Sequence, residues 1–164
     1  MAEKKQQFHQ IRETLEEKGF RISDQDLERP WGGFFVIDEK QATDFIKEFF
    51  DESALEQIKT SGKVSPKILM LAPGKRLSWQ YHHRRSELWK VLDGPVGVIK
   101  SITNEQKDVK SYDVGEHIKI EQGERHRLVG LDNWGIVAEI WMHVYGDHPS
   151  DEKDIVRLKD DFGR

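Results

Sequence analysis

The sequence predicts a mainly β domain, a β-sandwich or barrel of short strands with an N-terminal helix and a short helical insertion. Two observations favour this fold class. From residue 66 to residue 145, short apolar runs alternate with turns rich in glycine, proline, asparagine and aspartate, a spacing typical of β-sandwiches and barrels. Before residue 61, apolar residues in two segments recur every three or four positions, which is the spacing of amphipathic helices.

The two helical segments lie on either side of the first predicted strand. In residues 3–19 the apolar positions are Phe8, Ile11 and Leu15, and Gly19 is a helix stop. We expect this helix to pack on the β domain or on a partner. The insertion at residues 41–60 is expected to cover the end of the sandwich or, alternatively, to wall the site, and its apolar residues are Phe45, Ile46, Phe49, Phe50, Leu55 and Ile58.

The predicted strands follow one another with short turns between them. Residues 29–33, Arg-Pro-Trp-Gly-Gly, interrupt the chain before the first strand. We expect residues 79–82 and 87–92 to form a pair joined by a charged turn, and residues 151–164 to pack across the outside of the barrel. The strands are predicted, in order, at residues 34–37, 68–71, 79–82, 87–92, 96–99, 109–114, 118–120, 126–129 and 136–145.

Four side chains are candidate metal ligands. Because side chains alternate along a strand, Gln80 and His82 share one face, and Glu87 begins the next strand. His126 supplies a second imidazole from a later strand. Two imidazole nitrogens, an amide oxygen and a carboxylate are suitable ligands for one divalent ion such as zinc, manganese, iron or nickel.

The sequence also carries a resemblance to a known family. Seven residues, in this order, resemble the two sequence motifs of the cupin superfamily: Gly74, His82, Glu87, Gly94, Gly115, Gly123 and His126. Gln80 in place of a first histidine, together with Arg29-Pro30-Trp31-Gly32 and Asp154-Ile155-Val156-Arg157, resembles the type II phosphomannose isomerase domain, which is often fused to a mannose-1-phosphate guanylyltransferase. The resemblance implies a cupin double-stranded β-helix, or jelly roll, over residues 29–164, with residues 1–28 as an N-terminal helical extension.

The chain also departs from the family pattern. Glu121 replaces a usual proline and Gly130 a usual asparagine, while Lys75 and Arg76 replace small or polar residues. Residues 39–63 resemble an insertion between the entry motif, Arg29-Pro30-Trp31-Gly32, and the first cupin motif. These departures concern the choice of substrate more than the fold or the metal.

The resemblance implies a metal-dependent aldose–ketose isomerase that interconverts mannose 6-phosphate and fructose 6-phosphate, with zinc as the first choice of metal. Such a reaction needs a base that moves a proton between two carbons and a cation that holds the phosphate. The candidate bases are Lys90, Arg127 and Glu139, although alternation turns Arg127 away from the face of His126. The candidate substrate-binding residues are Arg76, Arg85, Arg125 and Trp31, each of which has a purely structural alternative as surface charge or core residue.

Composition restricts the function classes. The chain has 164 residues, enough for one compact domain, and a net charge of -4, which gives no drive toward nucleic acid. It contains no cysteine, no apolar run long enough for a bilayer and no signal-peptide pattern, so we expect a cytoplasmic protein without membrane contacts. The resemblance alone suggests a homodimer.

Two alternative functions stay open at this stage. One is a cupin that isomerises or epimerises another sugar, or acts as a dioxygenase, although the single glutamine among the ligands argues against the oxygenase. The other is a non-catalytic sugar-binding cupin.

Overall fold

The β-strands form two antiparallel sheets in the computed structural model, which describes residues 2–59, 63–145 and 147–164. One sheet has six strands in the order β1-β2-β3-β10-β5-β8, and the other has five in the order β11-β4-β9-β6-β7. The strands are β1 Ile22–Arg29, β2 Gly32–Ile37, β3 Lys63–Leu71, β4 Trp79–Tyr81, β5 Arg85–Asp93, β6 Val96–Ser101, β7 Lys110–Tyr112, β8 His117–Ile120, β9 Arg125–Gly130, β10 Gly135–His143 and β11 Val156–Lys159. The predicted mainly β fold class is confirmed.

The helices cover one face of the six-stranded sheet. They are α1 Ala2–Glu17, α2 Ala42–Phe49 and α3 Glu52–Lys59, with a short 3-10 helix at Glu39–Gln41. Phe8 and Leu15 of α1 and Phe45 of α2 are buried in one apolar cluster with the outward side chains of β3 and β10. The insertion therefore covers the outer face of this sheet, whereas it was expected to cover one end of the sandwich. Residue 60, the predicted last residue of the insertion, lies outside the described residues.

A second apolar cluster fills the space between the two sheets. Leu69 of β3, Trp89 of β5 and Val137 of β10 face Val98 of β6 and Leu128 of β9 there. All nine residues of β10 are buried, because helices cover one face of this central strand and the second sheet covers the other. This arrangement makes the inner faces of β3, β5 and β10 available for a site between the sheets.

Two strands extend the sheets beyond the prediction. β1 lies in the segment predicted as a helical extension and pairs with β2. β11 lies in the segment predicted to pack across the outside, and it pairs with β4 as an edge strand of the five-stranded sheet. The segments on both sides of the predicted barrel therefore each add a strand to its sheets.

The turn between β1 and β2 depends on Gly32. Its φ is 147°, and a Cβ there would lie 1.9 Å from the carbonyl oxygen of Met70. Only glycine allows this close approach of the turn to β3. Trp31, the neighbouring residue, is thereby buried on the inner side of the sheet.

No helix in the described part of the chain is both long and apolar enough to cross a membrane.

Candidate metal centre

The four predicted ligands come from both sheets. Gln80 on β4 lies opposite His126 on β9 in the five-stranded sheet, and His82 follows β4 directly. Glu87 lies on β5 of the six-stranded sheet. β4 and β5 were expected to pair with each other, and this expectation is wrong: the chain crosses from one sheet to the other between them, so that their inner faces oppose each other.

Three ligand atoms converge at this crossing. His82 Nε2 lies 3.2 Å from His126 Nε2 and 3.1 Å from Glu87 Oε2. His126 Nε2 lies 3.9 Å from the same carboxylate oxygen. All three side chains are buried, each with 2% of its surface exposed. In the described residues, these three form the group of histidine and acidic side chains that could hold a metal ion.

The second nitrogen of each imidazole is held by a backbone carbonyl. His82 Nδ1 lies 2.6 Å from the oxygen of Asp154, and His126 Nδ1 lies 2.9 Å from the oxygen of Glu124. A carbonyl oxygen can only accept, so each Nδ1 carries the proton and each Nε2 presents its lone pair to the centre. The lone pair of His82 Nε2 accepts a hydrogen bond from Arg85 Nη2 at 3.1 Å, so a cation shared by the two imidazoles would take the place of this guanidinium nitrogen. The orientation of both histidines by backbone carbonyls is typical of metal sites.

Burial keeps His126 neutral. It lowers the pKa of His126 to about 4, against the opposing effect of the Glu87 carboxylate. Neutral imidazole is the form that binds metals.

The Gln80 side chain lies beside the three ligand atoms. Its Nε2 is 3.3 Å from His82 Nε2, and its Oε1 accepts a hydrogen bond from the Ser78 hydroxyl. A half-turn of the amide would present Oε1 to the imidazoles and Nε2 to Ser78, whose hydroxyl can also accept. The amide is therefore placed to supply the neutral oxygen of a four-ligand set.

Arg85 is bound to the same carboxylate. Its Nε donates to Glu87 Oε2 at 2.9 Å, and its Nη1 donates to the Ser150 hydroxyl at 2.9 Å. Burial alone would raise the pKa of Glu87. The Arg85 guanidinium and the neighbouring imidazoles lower this pKa by a larger amount, so that it lies well below its ordinary value. Glu87 is thus a buried anion in the centre.

A cavity of about 90 Å³ opens next to the centre, between the sheets. Gln80 and Glu87 form part of its wall. Trp31, Arg85 and Glu139, three of the predicted substrate-binding and catalytic residues, also line it. The other lining residues are Arg29, Phe34, Lys67, Leu69, Leu77, Trp89, Trp141, Glu152, Ile155, Arg157 and Arg164.

Glu139 lies on the floor of this cavity between two indoles. Trp141 Nε1 donates to its Oε1 at 2.7 Å, and Trp89 Nε1 donates to its Oε2 at 3.0 Å. Burial and the nearby Glu87 carboxylate raise the pKa of Glu139 well above its ordinary value. The carboxyl group is therefore fixed in position and faces the same space as the candidate metal ligands.

The other predicted residues lie elsewhere. Lys90 lies on the same face of β5 as Leu88, which is the face opposite to that of Glu87. Arg127 Nε donates to the Leu77 carbonyl at 2.7 Å, on the outer side of β9. Arg76 forms a two-pronged pair with Asp161 at 2.6 and 2.9 Å. Arg125 stacks 3.8 Å from the ring centre of Tyr81. The described lining of the cavity includes none of these four.

Four cations in the cavity wall were absent from the predicted site residues. Arg157 and Arg164 come from the C-terminal segment, and Arg29 begins the motif that contains Trp31. Lys67 is two residues before Leu69 on β3, so both side chains lie on the inner face of the sheet. A charged residue in a strand at a position where an inward-facing apolar residue is expected was the signal that could have identified it.

The position of Arg164 depends on Asp160. Arg164 donates to both carboxylate oxygens, Nε to Oδ2 at 2.8 Å and Nη2 to Oδ1 at 3.1 Å. These hydrogen bonds lower the pKa of Asp160 from 3.8 to about 2. A carboxylate with a lowered pKa stabilises the fold above its unfolded pKa, and this contribution is lost as pH falls through its folded pKa.

Asp160→Asn is therefore expected to flatten the acid side of the stability profile. The free energy of unfolding of the parent protein should fall between about pH 4 and about pH 2, and the variant should lack this component. Chemical unfolding at a series of pH values measures the difference. Asp108→Asn, at an exposed loop position, is the control and should keep the parent slope. An unchanged slope in Asp160→Asn would contradict the role of the Arg164 pair.

Comparison with known proteins gives a family model and a set of relatives. The family model described as mannose-6-phosphate isomerase C-terminal matches residues 45–160. Mannose-1-phosphate guanylyltransferase 2 of Escherichia coli O157:H7 is 27% identical over 148 residues, which is 90% of this chain and 25% of that protein. Alginate biosynthesis protein AlgA of Pseudomonas putida is 28% identical over 164 residues, 99% of this chain and 28% of that protein. The chain thus spans about a quarter of the length of the curated relatives it matches.

Solved structures show the likeness in fold. A mutant of Bacillus subtilis oxalate decarboxylase OxdC matches with a TM-score of 0.56 and 13% identity, over 82% of this chain and 30% of that chain. Vicilin from Corylus avellana matches with a TM-score of 0.55 and 13% identity, over 85% of this chain and 36% of that chain. At this identity the matches concern the fold alone.

Proposed function

The chain belongs to the mannose-6-phosphate isomerase C-terminal family and has a cupin fold, and from this premise we propose that it is a metal-dependent aldose–ketose isomerase of sugar phosphates. Its proposed substrate pair is mannose 6-phosphate and fructose 6-phosphate. The curated relatives are named for a guanylyltransferase or for polysaccharide biosynthesis, and this chain matches only about a quarter of their length. The proposal therefore concerns the cupin domain.

One observation carries the proposal: the convergence of His82, Glu87 and His126 within 4.8 Å beside a cavity walled by cations. His82, Glu87, His126 and Gln80 would hold one divalent ion, with zinc as the first choice. When bound, such an ion supplies positive charge that polarises the substrate oxygens and stabilises the negative charge developing on oxygen in an enediol.

Glu139 is the proposed base of the reaction. It is the one member of the three candidate bases that lines the described part of the cavity, and two indole N–H groups fix its orientation. In the open-chain aldose, Glu139 would take the proton from C2 and return it to C1, while the hydroxyl proton of O2 moves to O1. The aldehyde becomes an alcohol and the neighbouring alcohol becomes the ketone, so no atom is gained or lost.

The proposed phosphate site is the group of cations at the cavity wall, Lys67 with the three arginines Arg29, Arg157 and Arg164. Burial lowers the pKa of Arg157, and the positive charges of Arg164 and Arg29 lower it further. Three guanidinium groups that repel one another would be stabilised by a bound dianion, and the planar guanidinium matches phosphate oxygens.

A metal-dependent coupled assay tests this function. The protein is stripped with a chelator, reloaded with zinc or with manganese, and supplied with mannose 6-phosphate while fructose 6-phosphate is measured. We expect turnover that disappears with the metal and returns on reloading. Metal-loaded protein that turns over neither mannose, glucose nor heptulose phosphates would exclude the isomerase. Sugar-phosphate binding without turnover would instead support a non-catalytic binding protein.

A further inference from the structure

Lys67 is a buried cation in the wall of the cavity. Only 5% of its surface is exposed, and its Nζ lies 4.4 Å from the ring centre of Phe34 and 4.0 Å from that of Trp141. A lysine ammonium removed from water to this extent destabilises the fold unless an anion or strong dipoles compensate it. The aromatic faces compensate only part of this cost.

The partner of Lys67 is the carboxylate of Glu152, which accepts a hydrogen bond from Nζ. The two members of this pair differ in exposure: the Lys67 side chain is 6% exposed, whereas the Glu152 side chain is 56% exposed. Glu152 also belongs to the turn before β11, and the neighbouring Asp154 holds this turn through the backbone N–H groups of His83 and Arg84. The carboxylate can therefore turn into solvent without movement of the backbone, but the ammonium cannot.

Glu152 also stands out among the acidic residues of the described cavity wall. Glu87 is paired with Arg85 and belongs to the metal centre. Glu139 is enclosed by two indoles. Glu152 is the third, at the outer side, and it lies on a cation that an anionic ligand would otherwise contact.

We propose that Glu152 is a displaceable internal anion. It neutralises Lys67 while the cavity holds no anionic ligand, and it moves into solvent when the anionic group of a ligand takes its place on the ammonium. The identity of that ligand as a phosphate ester rests on the proposed function, whereas the exchange of one anion for another on Lys67 does not.

The exchange has two consequences for binding. An anionic ligand must compete with Glu152, so its apparent affinity is its intrinsic affinity multiplied by the fraction of molecules in which Lys67 is free. A neutral sugar does not compete for Lys67, so it binds with the Lys67–Glu152 pair intact. Glu152 thereby lowers the affinity for anionic ligands and leaves that for neutral ligands of the same shape unchanged.

Glu152→Gln tests the proposal, because it keeps the shape of the side chain and removes its charge. Asp151→Asn is the matched control: it removes the same charge one residue away, from a carboxylate that pairs with Arg84 and does not line the cavity. Inorganic phosphate, mannose 6-phosphate and uncharged mannose are titrated into the full chain by calorimetry, and the unfolding temperature is recorded with and without phosphate.

We expect Glu152→Gln to bind phosphate and mannose 6-phosphate about three- to tenfold more tightly, with the affinity for mannose unchanged. Its unfolding temperature without phosphate should fall, because Lys67 then lacks its partner, and phosphate should raise it more than in the parent protein. Asp151→Asn should match the parent protein in both measurements. In turnover, KM for mannose 6-phosphate should fall while kcat stays within about twofold.

Equal or weaker phosphate binding in Glu152→Gln would overturn the proposal, as would an absence of phosphate binding to every variant. A loss of kcat with unchanged phosphate affinity would indicate a structural role for Glu152 and would likewise overturn it. The proposed function is tested separately by turnover. Tighter phosphate binding in a chain that isomerises no sugar phosphate would uphold the displaceable anion and reject the isomerase.

Discussion

Glu87→Gln is expected to abolish metal binding at physiological metal concentrations and to destabilise the fold. Glu87 is the only anion among the four proposed ligands, and its Oε2 lies 3.1 Å from His82 Nε2. Loss of an outer partner of a metal ligand alone weakens binding by about 10- to 100-fold, so loss of the charged ligand should weaken it by more than about 100-fold. Metal affinity is measured by competition with a chelator of known affinity.

The same change leaves Arg85 without its carboxylate. Arg85 is 6% exposed, and its Nε donates to Glu87 at 2.9 Å, so an uncompensated charge would remain in the interior. Removing one partner of such a pair destabilises a protein by about 3–5 kcal/mol, which denaturant unfolding of the metal-free protein would show.

Two further variants separate these effects. His126→Gln removes a ligand without leaving a charge unpaired, so it should lose metal binding with a smaller loss of stability. Glu121→Gln, at an exposed residue paired with Lys119, should bind metal like the parent protein. If both Glu87→Gln and His126→Gln kept the parent affinity, the metal centre would have to lie elsewhere.

The convergence of the candidate ligands could be predicted because alternation along a strand determines which side chains share a face. Gln80 and His82 were assigned to one face on that basis, and the structure brings both to Glu87 and His126. The same alternation turned Arg127 away from the face of His126, and its hydrogen bonds lie on the outer side of β9.

Alternation does not determine which strands pair, and the incorrect expectations follow from this. β4 and β5 are separated by only a few residues and were expected to form a hairpin, but each finds its partners far along the chain, β4 in β9 and β11 and β5 in β8 and β10. Which distant strands pair depends on how the apolar side chains of the two sheets are buried against each other, and the alternation within one strand carries no information about this. The additional strands β1 and β11 were missed for the same reason, since their partly exposed residues give no clear apolar alternation.

The cavity wall was predicted least well. Arg76, Arg125 and Arg127 were chosen for their nearness in sequence to the motifs, yet Arg76 and Arg127 are both engaged with Asp161. Apart from the predicted Arg85, the cations that line the cavity come from β3, from the end of β1 and from the C-terminal segment. Their convergence depends on the addition of β11 to the sheet, which brings Arg157 opposite Gln80.

Glu139→Gln is expected to reduce kcat by about 10²- to 10⁴-fold, the contribution typical of a positioned base. The amide has almost the shape of the carboxyl group but cannot take a proton from carbon. One of its ends is an NH₂ group, which cannot accept the indole N–H that Trp141 donates at 2.7 Å or the one that Trp89 donates at 3.0 Å. Turnover and metal content are measured on the same preparation.

The comparison with Lys90→Gln makes this result decisive among the candidate bases. Lys90 lies on the same strand as Glu87 but faces away from the cavity, so its substitution should change kcat by less than about twofold. Metal content and the KM for mannose 6-phosphate should stay close to those of the parent protein in both variants, because neither side chain is a proposed ligand of the metal or of the phosphate. If Glu139→Gln retained full kcat while Lys90→Gln lost it, the reacting carbons would have to lie on the helix-covered face of the sheet, and the cavity between the sheets could not be the active site.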